Sequence, residues 1–181
     1  SGLVMLYVPF PSWTDEERIA ILPPVAVERV RVTPDEAMAR AGLTSMPSVF
    51  RLEMFANEPV YRIVAGEKRV SFFASNGEAI NGVGARDAER HLAAAAPNSR
   101  PKLLEEIDYD QWTVTRRFDA HRPLLKFALR DERDTIVYVS SKTGEIVQNA
   151  TGNERFWNWL GAIPHWIYFS PIRKDQELWR Q

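Results

Sequence analysis

Residues Ile136 to Val147 read Ile-Val-Tyr-Val-Ser-Ser-Lys-Thr-Gly-Glu-Ile-Val, and an earlier stretch, Arg69 to Ile80, reads Arg-Val-Ser-Phe-Phe-Ala-Ser-Asn-Gly-Glu-Ala-Ile. Laid over each other without a gap, Val70 meets Val137, Gly77 meets Gly144, Glu78 meets Glu145 and Ile80 meets Val147. Each copy is a β-branched and aromatic run, a short polar turn with glycine, and a further apolar pair, the pattern of two antiparallel strands joined by a tight loop. Glycine suits a positive φ in that turn, with Asn76 or Thr143 before it. Upstream, Tyr61-Arg62-Ile63-Val64 and Leu125-Lys126-Phe127-Ala128 share an apolar, basic, apolar alternation, and the loop that follows is three residues longer in the second copy. One unit is written twice, and a repeat of this kind sets the architecture before any other feature is read.

Around these copies the remaining elements fall into order. Thr14 to Ile21 is a short helix in a proline-punctuated lead-in (Pro9, Pro11, Pro23, Pro24), with Thr14 as cap and Glu17 answering it. Val25 to Val32 alternates charged and apolar residues and is expected to be a strand. Thr33-Pro34-Asp35-Glu36 starts a helix that Gly42 ends. Phe50, Leu52 and Met54 then face one way and Arg51 and Glu53 the other, followed by strands over Val60–Ala65 and Lys68–Phe73. Asn81 to Gly84 breaks the chain before an alanine-rich helix, Ala85 to Ala96, with Ala88, His91, Leu92 and Ala95 as its packed stripe. Asn98 to Asp110 reads as a polar connector whose four acids form a solvated loop rather than a cation site, because no calcium-loop spacing is present. Strands are expected over Gln111–Phe118, Leu124–Arg130 and Asp134–Ser140. The fold class is therefore α+β, each unit a helix packed on a three- or four-stranded antiparallel sheet. The organisation is a lead-in over 1–24, a first unit over 25–82, a second over 83–150, and an aromatic tail over 151–181. A single continuous sheet wrapped by both helices would use the same elements.

Composition bounds the function classes. With 181 residues, 45% hydrophobic and 26% charged, the chain has enough apolar content for one large or two small cores. A formal charge of -1 leaves no broad basic field for nucleic acid, so recognition is local. The absence of cysteine removes disulfides, thiolate catalysis and cysteine-ligated metals. The sequence contains no apolar run of about 20 residues, the length a bilayer span needs. The tail departs from this ordinary background: four of the six tryptophans lie beyond Thr151. Its rings either cap the core of the second unit or sit at a bilayer surface, where amphipathic aromatics followed by Arg173 and Lys174 would be at home.

Two helix-plus-sheet copies, each closing on a Gly-Glu turn, followed by Trp157-Asn-Trp-Leu-Gly-Ala-Ile-Pro-His-Trp-Ile-Tyr168, resemble the PepSY-domain membrane proteins that carry PepSY-associated transmembrane helices. The match covers nearly the whole chain, and the Pro-His-Trp segment is its more specific part. The resemblance implies tandem PepSY-like units forming an extracytoplasmic domain between two helices of the bacterial inner membrane, facing the periplasm or cell exterior. Ser1 to Val8 would be the exit from one helix and Leu178 to Gln181 the approach to the next. Membrane-proximal or partner contacts are then expected at Trp157, Trp159, His165, Trp166, Tyr168, Arg173 and Lys174.

The sequence carries no His-Glu-x-x-His, no Gly-x-Ser-x-Gly and no phosphate-cradling glycine loop, and His91, His121 and His165 share no metal-ligand spacing. His91 is expected to pack, His121 to sit in a turn, and His165 to make a structural hydrogen bond, its other roles being an anion contact, a titrating group or a haem neighbour. No catalytic residue and no cofactor is assigned. The expected function is noncatalytic: binding or regulation of an envelope partner such as a peptidase, since PepSY domains resemble propeptide regions of secreted metallopeptidases. A sheet edge would take up a partner strand, with Arg51 and Arg62, or Arg116 and Arg117, lining the contact. The alternative implied by the resemblance is the extracytoplasmic loop of a membrane oxidoreductase in iron-siderophore uptake or ferric reduction.

Overall fold

The computed structural model describes residues 7–161 and 163. The repeat dictates two separate antiparallel sheets. The first has the order β1 (Val49–Phe55), β2 (Glu58–Ala65), β3 (Lys68–Phe73); the second has the order β4 (Lys102–Ile107), β5 (Leu124–Ala128), β6 (Ile136–Ser140), β7 (Ile146–Ala150). The two Gly-Glu turns are the same object. In the first, Gly77 N donates to Phe73 O at 2.7 Å and Phe73 N to Glu78 O at 2.9 Å; in the second, Gly144 N donates to Ser140 O at 2.8 Å and Ser140 N to Glu145 O at 2.9 Å. Both glycines have positive φ, 77° and 75°, and the residue before each accepts from the glutamate N–H through its side chain. The copies diverge after the turn: the second continues into β7, whereas the first makes only the Phe72–Ala79 bridge.

Helices cover the sheets as the layer rule requires. Helix α1 (Asp15–Ala20) and helix α2 (Pro34–Arg40) both start on a threonine–glutamate capping box, with proline at the first helical position in α2. Ala37 and Ala41, at the end of α2, pack with Val32 on Tyr61, Ile63 and Phe72, filling one face of the first sheet. Helix α3 (Ala85–Ala95) buries Ala88, His91 and Leu92. Its apolar stripe lies in a core that holds Phe55 and Val60 of the first sheet together with Leu125, Phe127 and Val139 of the second. The second sheet is covered on its other face as well, where Leu124, Ile136 and Tyr138 meet Trp112, Phe118 and Ile163.

Close approach between the units is built into Gly144. A Cβ there would lie 2.4 Å from the Phe55 ring, so a side chain at this turn would push the second unit off the first. The lead-in is fastened to the second unit: Gln148 donates to the Pro11 carbonyl at 2.7 Å and Asn158 to the Pro9 carbonyl at 3.1 Å.

Three expected elements differ. Val25–Val32 is not a strand; it makes a 3-10 turn at Val27–Arg29, after which Arg31 N and Val32 N converge on one carbonyl, that of Ala74, which a strand ladder does not do. Gln111–Phe118 is not a strand either. Arg122 donates to the carbonyls of Asp108, Thr113 and Thr115, which curls the segment around one guanidinium and leads into a 3-10 turn at Arg116–His121. Conversely, the connector Asn98–Asp110 contains β4. This is an edge strand whose ladder is made by backbone while its acids point outward, and Glu105 lies opposite Lys126, its carboxylate 2.9 Å from the ammonium.

Candidate functional site

The alternation in β1 places Arg51 and Glu53 on the face away from α2, and the β1–β2 register sets Arg62 directly opposite Arg51. Two like charges opposed across a ladder repel, and the face is not solvated: Glu53 and Arg62 are 5% and 2% exposed. Carboxylates from three parts of the chain resolve the conflict. Glu53 accepts from Arg62 Nε at 3.1 Å and from Arg18 Nη1, brought by α1, at 3.2 Å. Glu145, from the second Gly-Glu turn, accepts from Arg51 Nη2 at 2.9 Å. Asp15, on α1, lies 3.3 Å from Arg51 Nη1. Arg62 Nη1 reaches across to the carbonyl of Thr143, and the Thr143 hydroxyl donates to Glu145 at 3.1 Å. The network therefore ties α1, the first sheet and the β6–β7 turn together.

Electrostatics follow from this enclosure. Burial alone would raise the Glu145 carboxyl, but Arg62, His121, Arg51 and Arg18 outweigh it and hold it below its ordinary value. His121, its Nδ1 3.8 Å from Glu145, is lowered chiefly by burial; Glu145 opposes that shift, and Arg69, Arg18 and Arg62 add to it. His91 is pushed down to about 3 by burial, then by Arg62 and Arg18, and as a neutral ring it accepts from Ala56 N at 3.3 Å.

Above the network opens a cleft of about 260 Å³, walled by α1, the first sheet, the Arg116–His121 turn and the β6–β7 turn. Four arginines line it, Arg18, Arg51, Arg69 and Arg117, against two carboxylates, Asp15 and Glu145. Trp13, Val49, Val64, Phe118, Ile146 and Val147 supply apolar wall. Arg69 and Arg117 stand exposed at the rim, Arg117 stacked 4.6 Å above the Phe118 ring, and neither makes an ion pair with a described residue.

Compared with known proteins, the chain matches no family model, no curated protein and no solved structure. The geometry is what bears on function. Of the arginines expected to line a contact, Arg51 and Arg117 come together in the cleft from different units, Arg62 lies beneath them fully buried rather than on an exposed strand face, and Arg116 is not part of the wall.

Of the tail residues, Trp157 and Trp159 lie on helix α4 (Gly152–Leu160), capped by a Thr151–Glu154 box, while His165, Trp166, Tyr168, Arg173 and Lys174 lie outside the described residues. The α4 rings do not cap the core. Phe156, Trp157 and Trp159 are 59%, 38% and 51% exposed, while Asn158 between them is fully buried; the core is closed by Ile163 instead. Among the described residues no helix is long and apolar enough to cross a membrane, and no group of histidines and carboxylates is placed to hold a metal ion.

The sequence reading missed Glu53, Glu145, Arg18 and Asp15 as parts of one site. The available signals were the glutamate repeated in both turns and the pairing of Asp15 with Arg18 one helical turn apart on α1. Glu78, the first copy's equivalent, is exposed, so the repeat marks a turn in one unit and a site in the other.

Proposed function

We propose that the chain is a noncatalytic binding domain of a membrane-anchored envelope protein, built from tandem PepSY-like units, and that a protein partner such as a peptidase docks over the cleft where the units meet. One observation carries the reading: the cleft belongs to neither unit alone, and its arginines outnumber its carboxylates. A surface composed from two units reads their relative position, which suits regulation, and uncompensated arginines steer and orient an acidic partner. The exposed rings of α4 lie outside that cleft and fit the membrane-proximal role that the resemblance gives the tail.

The test is calorimetric titration of the domain with a panel of envelope metallopeptidases, alongside an Arg69→Gln/Arg117→Gln variant. Both residues are exposed, so the variant should fold. Saturable binding that inhibits a peptidase and weakens in the variant supports the reading. Binding unaffected by the variant, or no binding across the panel, overturns it.

A further inference from the structure

Resting on that binding reading, the geometry points to the chemistry of what enters the cleft: we infer that it is a receptor for a single carboxylate carried on an apolar stem, as in an acidic side chain or a chain terminus of a partner peptide. Two exposed guanidiniums at the rim of the cleft, Arg69 and Arg117, pair with no carboxylate among the described residues. Deeper in the wall the cations are already matched, Arg18 Nη1 to Glu53 at 3.2 Å and Arg51 Nη2 to Glu145 at 2.9 Å. A solvent-facing guanidinium with no internal anion can donate to an incoming one, so the rim presents the donors.

Charge sets the sign of that acceptor. Below the cleft Glu53 serves both Arg62 and Arg18, while in its wall the arginines exceed the carboxylates by two. A guanidinium fork matches a carboxylate edge in width and donor direction. The size and the walls narrow the class further: about 260 Å³ lined by Trp13, Val49, Val64, Phe118, Ile146 and Val147 suits a hydrocarbon stem below a planar anion, and Asp15 and Glu145 in the same wall disfavour a dianion.

Isothermal titration of the full chain would use three probes. The first is an acetylated and amidated apolar peptide with one glutamate, the second the same peptide with glutamine there and a free C-terminus, and the third inorganic phosphate. Binding of either peptide carboxylate supports the inference and tells which source the cleft prefers; it should weaken about tenfold in Arg117→Gln and vanish in Arg117→Glu, a loss in keeping with one charge-assisted contact. Arg117 is exposed, so both variants keep the fold; Arg18→Gln, whose side chain is buried, is compared only after its circular dichroism matches the parent. Failure of both peptides at millimolar concentration, binding indifferent to Arg117, or tighter binding of phosphate overturns the inference. Peptidase binding that persists while both peptides fail sinks this inference alone; carboxylate binding without any protein partner supports it and sinks the peptidase reading.

Discussion

Replacing Gly144 by alanine isolates the contact that makes two units into one body. The residue has φ of 75°, and an added Cβ would lie 2.4 Å from Phe55 Cε2 and 2.8 Å from Cζ. The backbone term is on the order of 1–2 kcal/mol for a non-glycine residue in the left-handed region. Overpacking against a buried ring adds about 1–3 kcal/mol, because Phe55 lies in the shared core and cannot swing into solvent. Two internal controls separate these terms. Gly66, φ 60°, has nothing within 4 Å of its Cβ position, and Gly77, φ 77°, would meet only the Arg40 guanidinium, the far end of a flexible side chain. Gly66→Ala and Gly77→Ala should each cost about 1–2 kcal/mol, and Gly144→Ala about 2–5 kcal/mol. Urea unfolding followed by tryptophan fluorescence and by circular dichroism gives the midpoints. A double-mutant cycle with Phe55→Leu should recover on the order of 1 kcal/mol of the excess. Equal losses at all three glycines, or no coupling between Gly144 and Phe55, would refute the docking of the second turn on the first sheet.

Three further outcomes follow from the same structure. Glu145→Gln should destabilise by roughly 2–4 kcal/mol, since it removes the buried carboxylate that Arg51 Nη2 meets at 2.9 Å, whereas Glu78→Gln at the repeat-equivalent exposed position should fall within about 0.5 kcal/mol of the parent; chemical denaturation measures both. Acid should unfold the chain through His91 as well as through carboxylates: its folded value of about 3 lies below the ordinary 6.5, so the native state binds fewer protons than the unfolded one between them. Its stabilising contribution is complete above about pH 6.5 and falls by on the order of 4 kcal/mol as pH drops to about 3. Stability measured against pH should therefore decline less steeply in that window in His91→Gln, and an unchanged slope would remove His91 from the account. Thr151→Ala should cost about 1 kcal/mol through loss of the α4 cap, read as a lower midpoint of thermal unfolding.

What was legible in the sequence was local. The Gly-Glu turns were legible because a positive-φ glycine and the side chain before it specify their own hydrogen bonds, and the residue-for-residue spacing of the copies survives in β3 and β6. The threonine–glutamate box of α1 and the threonine cap of α2 were legible for the same reason. The β1 alternation correctly gave its two faces, but apolar–charged alternation normally means a solvated polar face, and here that face is buried. The carboxylates that neutralise Arg51 are Glu145, 94 residues away, and Asp15 on α1, and no pattern along β1 announces them. β4 was hidden by its acids, which are tolerable on an edge strand and improbable in a central one. Gln111–Phe118 has strand-like composition, and the guanidinium of Arg122 overrides it by collecting three carbonyls. In the tail, aromatic density marked a shift in composition but left the placement of the rings open: on α4 they face out, and Asn158 faces inward to hold the Pro9 carbonyl.

On the proposed reading a partner contacts both units at once, across the cleft. Amide hydrogen exchange of the full chain, with and without a saturating envelope peptidase, tests it most directly. Added protection is expected in three places together: the Thr14–Arg18 turn of α1, the rim of the first sheet at Arg51 and Arg69, and the Arg117–His121 and Glu145–Val147 segments of the second unit. Protection confined to one unit, or to the exposed rings of α4, would contradict it.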